Sequence, residues 1–221
     1  MRIRAGVPTL VSTIAFTWAA GSGFAASGAS QAPKPTVTLR VLNEGAVDAR
    51  VLVLAKKEAA RIFARSGIEL VWFDCEPSGS AEWGSVSPCQ RDLGPAEFWM
   101  RFITRGRLLS TESTGDILGF TELEESRISN TSVVRYAAAV DAAGKWRAGV
   151  DQILGAAMAH EVGHLLLGTS AHSAYGVMCG YWGRVQFERI GQGQLCFTAS
   201  QAKKLREQIG NRVRSPLAAK H

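Results

Sequence analysis

A chain of 221 residues, 46% apolar and 20% charged, has the balance of an ordinary folded protein and room for one domain with a proper core. Such a composition excludes a largely disordered chain. The formal charge of +6 is mildly basic, and no Lys/Arg block interleaved with aromatics occurs, so the sequence carries no nucleic-acid footprint.

The first 25 residues read as an export signal. Arg2 and Arg4 form a positive start, 7–20 is an apolar run, and Gly23, Ala25 and Ala26 put small residues at a cleavage position. Losing Arg2 and Arg4 with that segment would leave a charge of about +4. No Cys follows the run, which excludes lipoprotein processing. No later segment is apolar for long enough to cross a bilayer, so no stable membrane insertion is expected after cleavage. The expected location is secreted or periplasmic. Residues 26–35, rich in Ala, Ser, Gly and Pro, read as a flexible leader, and the folded domain is expected over 36–210.

Residues 36–43 alternate β-branched and apolar positions and read as the first strand. Asp48 opens a helix to about Arg65, with Val47, Val51, Leu54, Ala55, Ala59, Ile62 and Phe63 on one side, and Ser66-Gly67 stops it. Residues 68–73 form a second strand. Strand, helix, strand in that order predicts a right-handed parallel pair. A long loop from Cys75 to Pro95 precedes a third strand over 98–103. Residues 117–121 form a short strand between polar and acidic loops, a candidate sheet edge, and 133–140 reads as the last strand.

Asp151 is placed to cap a helix whose Ile153, Leu154, Ala157, Met158, Val162, Leu165 and Leu166 give a broad buried surface, ended by Gly168. Residues 184–196, with Gly191 and Gly193, read as irregular. Thr198 and Gln201 have the spacing of a capping box, so a last helix runs to about Gly210, and the tail over 211–221 frays. The order of elements predicts a mixed α/β (α+β) fold.

All four cysteines, Cys75, Cys89, Cys179 and Cys196, lie beyond the signal, and an even count in an oxidising compartment predicts two disulfides. Of three connectivities the sequential one is the expectation, Cys75 with Cys89 and Cys179 with Cys196. The first bond closes a Gly-, Ser- and Pro-rich loop, a closure worth about 3 kcal/mol.

The chemistry concentrates in residues 160–178. Three of the four histidines fall there, and His160 and His164, four residues apart on a helix, lie about 40° apart around its axis. Both imidazoles can reach one ion. Glu161 sits about 100° further round, outside the ligand set yet within reach of water at the metal, the arrangement that makes HExxH a zinc site with a general base. His172 offers a third imidazole.

HEVGH, the helix-ending Gly168, His172 and the Met178 of Gly-Val-Met together resemble the zinc-binding region of the metzincin metalloendopeptidases, the group of matrixins and astacins. The sequence has one residue more on each side of Gly168 than the family pattern, as in a divergent bacterial branch. The resemblance implies a twisted mixed sheet with a long helix, an active-site helix, a Met-turn beneath the metal and a C-terminal helix. It implies one catalytic Zn2+ on His160, His164 and His172, and Glu161 as general base for hydrolysis of a protein or peptide substrate. Met178 would pack under the metal without coordinating it. Tyr175 and Tyr181 are candidates for an oxyanion donor or a pocket wall. Two other readings stand beside this one: a zincin that takes a downstream carboxylate, Glu188 or Glu207, as third ligand, and a non-catalytic secreted binding protein that keeps zinc for stability. Substrate specificity and oligomeric state are not encoded in any motif.

Overall fold

The computed structural model describes residues 33–76, 87–104, 117–124 and 127–214, all within the unit Pro33–His221. The expected signal over 1–25, most of the leader and the end of the tail lie outside the described residues. The described residues form a mixed α/β fold with a five-stranded, mostly parallel sheet and five helices.

The chain begins with β1 (Thr36–Asn43), α1 (Ala49–Ala64) and β2 (Glu69–Cys75). Asp48 caps α1 by accepting hydrogen bonds from the backbone N–H groups of Arg50 (2.9 Å) and Val51 (3.1 Å). Leu52, Ala55, Ala59, Ile62 and Phe63 form its buried face, so Leu52 takes the place expected for Leu54, which is exposed. β1 and β2 pair in parallel, as the strand, helix, strand order requires. β3 (Glu97–Ile103) pairs in parallel with the other side of β1.

β4 (Gly119–Glu124) and β5 (Arg127–Arg135) are antiparallel, and β5 pairs in parallel with β3. The order is β2-β1-β3-β5-β4, which leaves β4 on the edge, as its flanking loops predicted. The expectation of a strand through residue 140 is overturned. β5 ends at Arg135 and α2 (Tyr136–Lys145) follows directly. Its sequence, YAAAVDAAGK, holds five alanines in ten residues, and that helix preference overrides the short β-branched alternation before it.

α3 (Val150–Leu167) is buried nearly all round: besides the predicted apolar set, Gly155, Ala156, Ala159, Glu161, Gly163 and His164 are buried. Asp151 is not its cap. The N-cap is Gly149, whose N–H donates to the Gln152 side chain (3.0 Å), and Asp151 sits in the first turn, where its charge still favours the helix N-terminus. α3 packs on α1, α2 and α5 and against β4 and β5, which places it at the centre of the core with Leu39, Phe98, Phe102 and Val134.

The segment expected to be irregular contains α4 (Arg184–Gly191), whose Phe187 and Ile190, three apart, are buried. α5 (Ala199–Arg214) starts with the reciprocal box: Thr198 N–H donates to Gln201 Oε1 (2.8 Å), and Gln201 N–H to Thr198 Oγ1 (3.3 Å). It continues past Gly210 to Arg214, so the first residues of the expected tail are helical. Among the described residues no helix is long and apolar enough to cross a membrane.

Cys75 and Cys89 form a disulfide. The second expected bond is absent: Cys179 and Cys196 are both free thiols. Their backbones run close, with Val177 N–H donating to the Cys196 carbonyl (2.9 Å), but the side chains diverge. Cys179 Sγ donates to the Tyr181 carbonyl (3.2 Å), whereas Cys196 Sγ accepts from the guanidinium groups of Arg61 and Arg65 on the far side.

Candidate metal centre and active site

α3 presents His160 and His164 one turn apart, and their Nε2 atoms lie 3.0 Å from each other. Each Nδ1 faces a backbone carbonyl, His160 that of Val177 and His164 that of Thr169, both at 2.7 Å. A carbonyl only accepts, so both Nδ1 atoms carry the proton and both Nε2 lone pairs point into the same space. Two lone pairs aimed at one another repel unless a cation stands between them. The donor set therefore fits a metal ion, and the spacing is near the roughly 3.3 Å expected between two nitrogens of a tetrahedral zinc.

His172 completes the cluster. One ligand atom from each of the three histidines lies within 4.8 Å of the others, and His172's ring centroid is 4.9 Å from that of His164 and 5.3 Å from that of His160. The return that brings it there begins at Gly168, which ends α3 with φ 64°, a conformation open to glycine at little steric cost. Ser173 N–H donates to the Met178 carbonyl (2.9 Å), and Gly180 leaves room for the ring: a Cβ there would stand 2.8 Å from His172 Cγ. Among the described residues no carboxylate joins the cluster. Glu188 on α4 and Glu207 on α5, the alternative third ligands, are exposed and stand outside this cluster.

Met178 is buried at 2% exposure, with its sulfur against the Cα of Gly163, where a Cβ would come within 2.4 Å. It packs beneath the histidine helix and takes no place among the nitrogen donors. Burial lowers the pKa of His160 to about 4, against the opposing hydrogen bond to Val177 and with help from the nearby His164 and His172; His164 is lowered in the same way. Both shifts favour the neutral ring, the form that binds metal.

Glu161 is 4% exposed. Burial raises its pKa to about 8, and the hydroxyl of Thr121, donating to Oε2 at 2.9 Å, pulls the other way. A positive charge at the histidines would favour the ionised form further. Gly119 makes the carboxyl's place possible, because a Cβ there would lie 2.9 Å from both Cγ and Oε1 of Glu161.

Histidines and Glu161 open onto a cleft of about 540 Å³. β4 forms one wall, α2 with Trp146 a second, and residues 179–187 a third, where Trp182 stands edge-on to His160 and Phe187 stacks on Trp146. Tyr181 lines this cleft and is 78% exposed; Tyr175, 75% exposed, is not part of the lining. Residues around Gly180 to Arg184 were expected to form the substrate pocket, and Gly180, Tyr181 and Trp182 do line the cleft. Sequence reasoning did not anticipate Thr121, Gly119 or the α2 wall; the alanine run of α2 was the available signal for the wall, and the other two depend on contacts between segments distant in the chain.

No protein-family model matches the sequence, and no curated protein matches it. Among solved structures the chain is similar to a zinc-dependent peptidase from Methanocorpusculum labreanum (strain Z), with TM-score 0.49 and 13% identity over 76% of this chain and 99% of that one.

Proposed function

We propose that the chain is an exported zinc-dependent endopeptidase of metzincin-like type. The observation that carries this reading is a buried carboxylate, Glu161, beside three convergent imidazoles that open onto a cleft. A closed structural zinc site uses four protein ligands, whereas a catalytic one keeps three and leaves a position open. Three histidines are gathered here among the described residues.

His160, His164 and His172 would hold the ion, with Val177 and Thr169 fixing the first two rings through their carbonyls. Bound there, zinc supplies Lewis acidity, lowering the pKa of water and polarising a peptide carbonyl. Glu161 takes the proton of the attacking water and hands it to the leaving amine. β4, with its outer edge unpaired among the described residues, receives an extended substrate through main-chain hydrogen bonds. Tyr181 stands at the cleft mouth as wall or oxyanion donor. Export agrees with the N-terminal sequence and with the Cys75–Cys89 disulfide.

The test compares wild type with Glu161→Ala on an unfolded protein substrate, with zinc content measured in parallel. Equal zinc with cleavage lost in the variant supports the enzyme. Zinc bound by both and no cleavage by either, across varied substrates, overturns it in favour of a zinc-retaining binding protein.

A further inference from the structure

A general base works only if its carboxylate is held where the proton will be, and a Glu side chain has three rotatable bonds that must be restrained. The backbone of α3 sets where Glu161 leaves the helix and no more. What holds its far end comes from β4, forty residues earlier in the chain.

Two positions of that strand, Gly119 and Thr121, alternate as residues on one face of a strand do, and both meet the same carboxyl group. Gly119 supplies space: a Cβ would press on Glu161 Cγ and Oε1 and on the Val133 carbonyl, all within 2.9 Å. Thr121 supplies a donor, its Oγ1 standing 2.9 Å from Oε2, with the Glu161 main-chain oxygen at a longer 3.4 Å. No other side-chain hydrogen bond reaches the Glu161 carboxyl among the described residues. A hydroxyl has one proton to give. Given to Oε2, it ties down one oxygen and leaves Oε1 free to accept.

We propose that Thr121 is the positioning residue for the base: its hydroxyl orients the Glu161 carboxylate by holding Oε2, which leaves Oε1 as the proton acceptor. The inference rests on the reading of Glu161 as general base. It joins the strand offered to substrate and the group that moves the proton into one piece of structure, since Thr121 belongs to the edge strand itself.

The experiment uses the zinc-loaded protein as wild type, Thr121→Val, Thr121→Ser and Glu161→Gln, with kcat and KM on a peptide that wild type cuts. Zinc content and a crystal structure of wild type and Thr121→Val accompany the kinetics. Valine keeps the shape and removes the donor, and serine restores the donor without the methyl. The expected result for Thr121→Val is a kcat lower by roughly ten- to a hundredfold, with KM and zinc content unchanged and the Glu161 carboxylate displaced from its place. Thr121→Ser returns kcat to within about threefold of wild type. Wild-type kcat in Thr121→Val with the carboxylate unmoved overturns the proposal. So does a loss that serine does not repair, or one that follows loss of zinc, because either marks packing and not orientation. A Glu161→Gln protein as active as wild type sinks the base assignment itself, a different failure from that of Thr121. Should wild type cut nothing, the crystal comparison still decides whether the hydroxyl holds the carboxylate.

Discussion

Gly155 on α3 lies so near the main chain of Ala55 on α1 that a Cβ added to it would come within 2.6 Å of the Ala55 carbonyl oxygen and of Glu58 Cβ. The helix bearing the histidines crosses α1 at this point, and neither backbone nor Cβ can move aside as a flexible side-chain tip could. Gly155→Ala, normally favourable in a helix, is expected to lower stability by about 1–3 kcal/mol through overpacking. A denaturant melt of the zinc-loaded protein measures it; an unchanged midpoint would show that the two helices have slack at the crossing.

The three histidines differ in burial: His164 is 5% exposed, His160 is half-buried and His172 is exposed. Removing each should therefore have different consequences. His172→Ala is expected to weaken zinc binding by more than about a hundredfold while leaving the metal-free fold at wild-type stability. His164→Ala should weaken binding and also destabilise the metal-free protein, because it empties buried space and strands the Thr169 carbonyl. Zinc titration and thermal melts of chelator-treated protein separate the two effects.

Gly119→Ala tests the space around the base without touching its donor. With Val133 O 2.8 Å from the added carbon, the strand cannot absorb the methyl group, and Glu161 must shift. We expect kcat to fall about a hundredfold, the usual consequence of an ångström-scale displacement, with zinc content unchanged. Loss of zinc together with activity would mean that the effect spreads to the histidines.

Away from the cleft, Arg40 is 1% exposed and donates to the Arg91 and Asp92 carbonyls and to Glu97 (2.6 Å), while Arg91 reaches the same carboxylate. Burial would raise the Glu97 pKa, but hydrogen bonds from Arg91, the Gly94 N–H and Arg40 outweigh it and hold the group at about 2, below its ordinary 4.5. The folded pKa is depressed, so the stabilisation is complete above pH 4.5 and is lost as pH falls towards 2. Glu97→Gln should cost about 3 kcal/mol at neutral pH and flatten the acid limb of stability between those limits. Urea melts across that range read both; an acid limb as steep as wild type would assign the loss to other carboxylates.

Much of this architecture was legible in the chain. The parallel opening, the edge position of β4 and the buried surface of α3 follow from alternation, helical spacing and caps, all local signals. His160, Glu161 and His164 were legible for the same reason, since one helix fixes their relations. α2 was misread because Val133, Val134 and Tyr136 favour a strand while the alanines after them favour a helix, and the boundary falls between. Thr121 was invisible in its role: a threonine on a strand is ordinary until the fold lays it over Glu161. The pairing of Cys179 with Cys196 failed on side-chain direction, which sequence separation does not encode.

That last difference is measurable. Two thiols per chain should react with a thiol reagent in denaturant without reductant, Cys179 and Cys196, and all four cysteines after reduction. Cys75→Ser should lower stability by about 3 kcal/mol, the closure value for its loop. A chain with no reactive thiol would mean that the second bond forms after all.

The carbonyls of Val177 and Thr169 decide in advance which nitrogen of each ring stays bare, and this has a thermodynamic result for the whole molecule. An ion bound there would be held by lone pairs that only the folded chain brings together, so folding and loading would be one balance viewed from two sides. If zinc is the ion held there, each tenfold rise in free zinc in the saturating range should add about 1.4 kcal/mol to the folded state, and the thermal midpoint should climb with it.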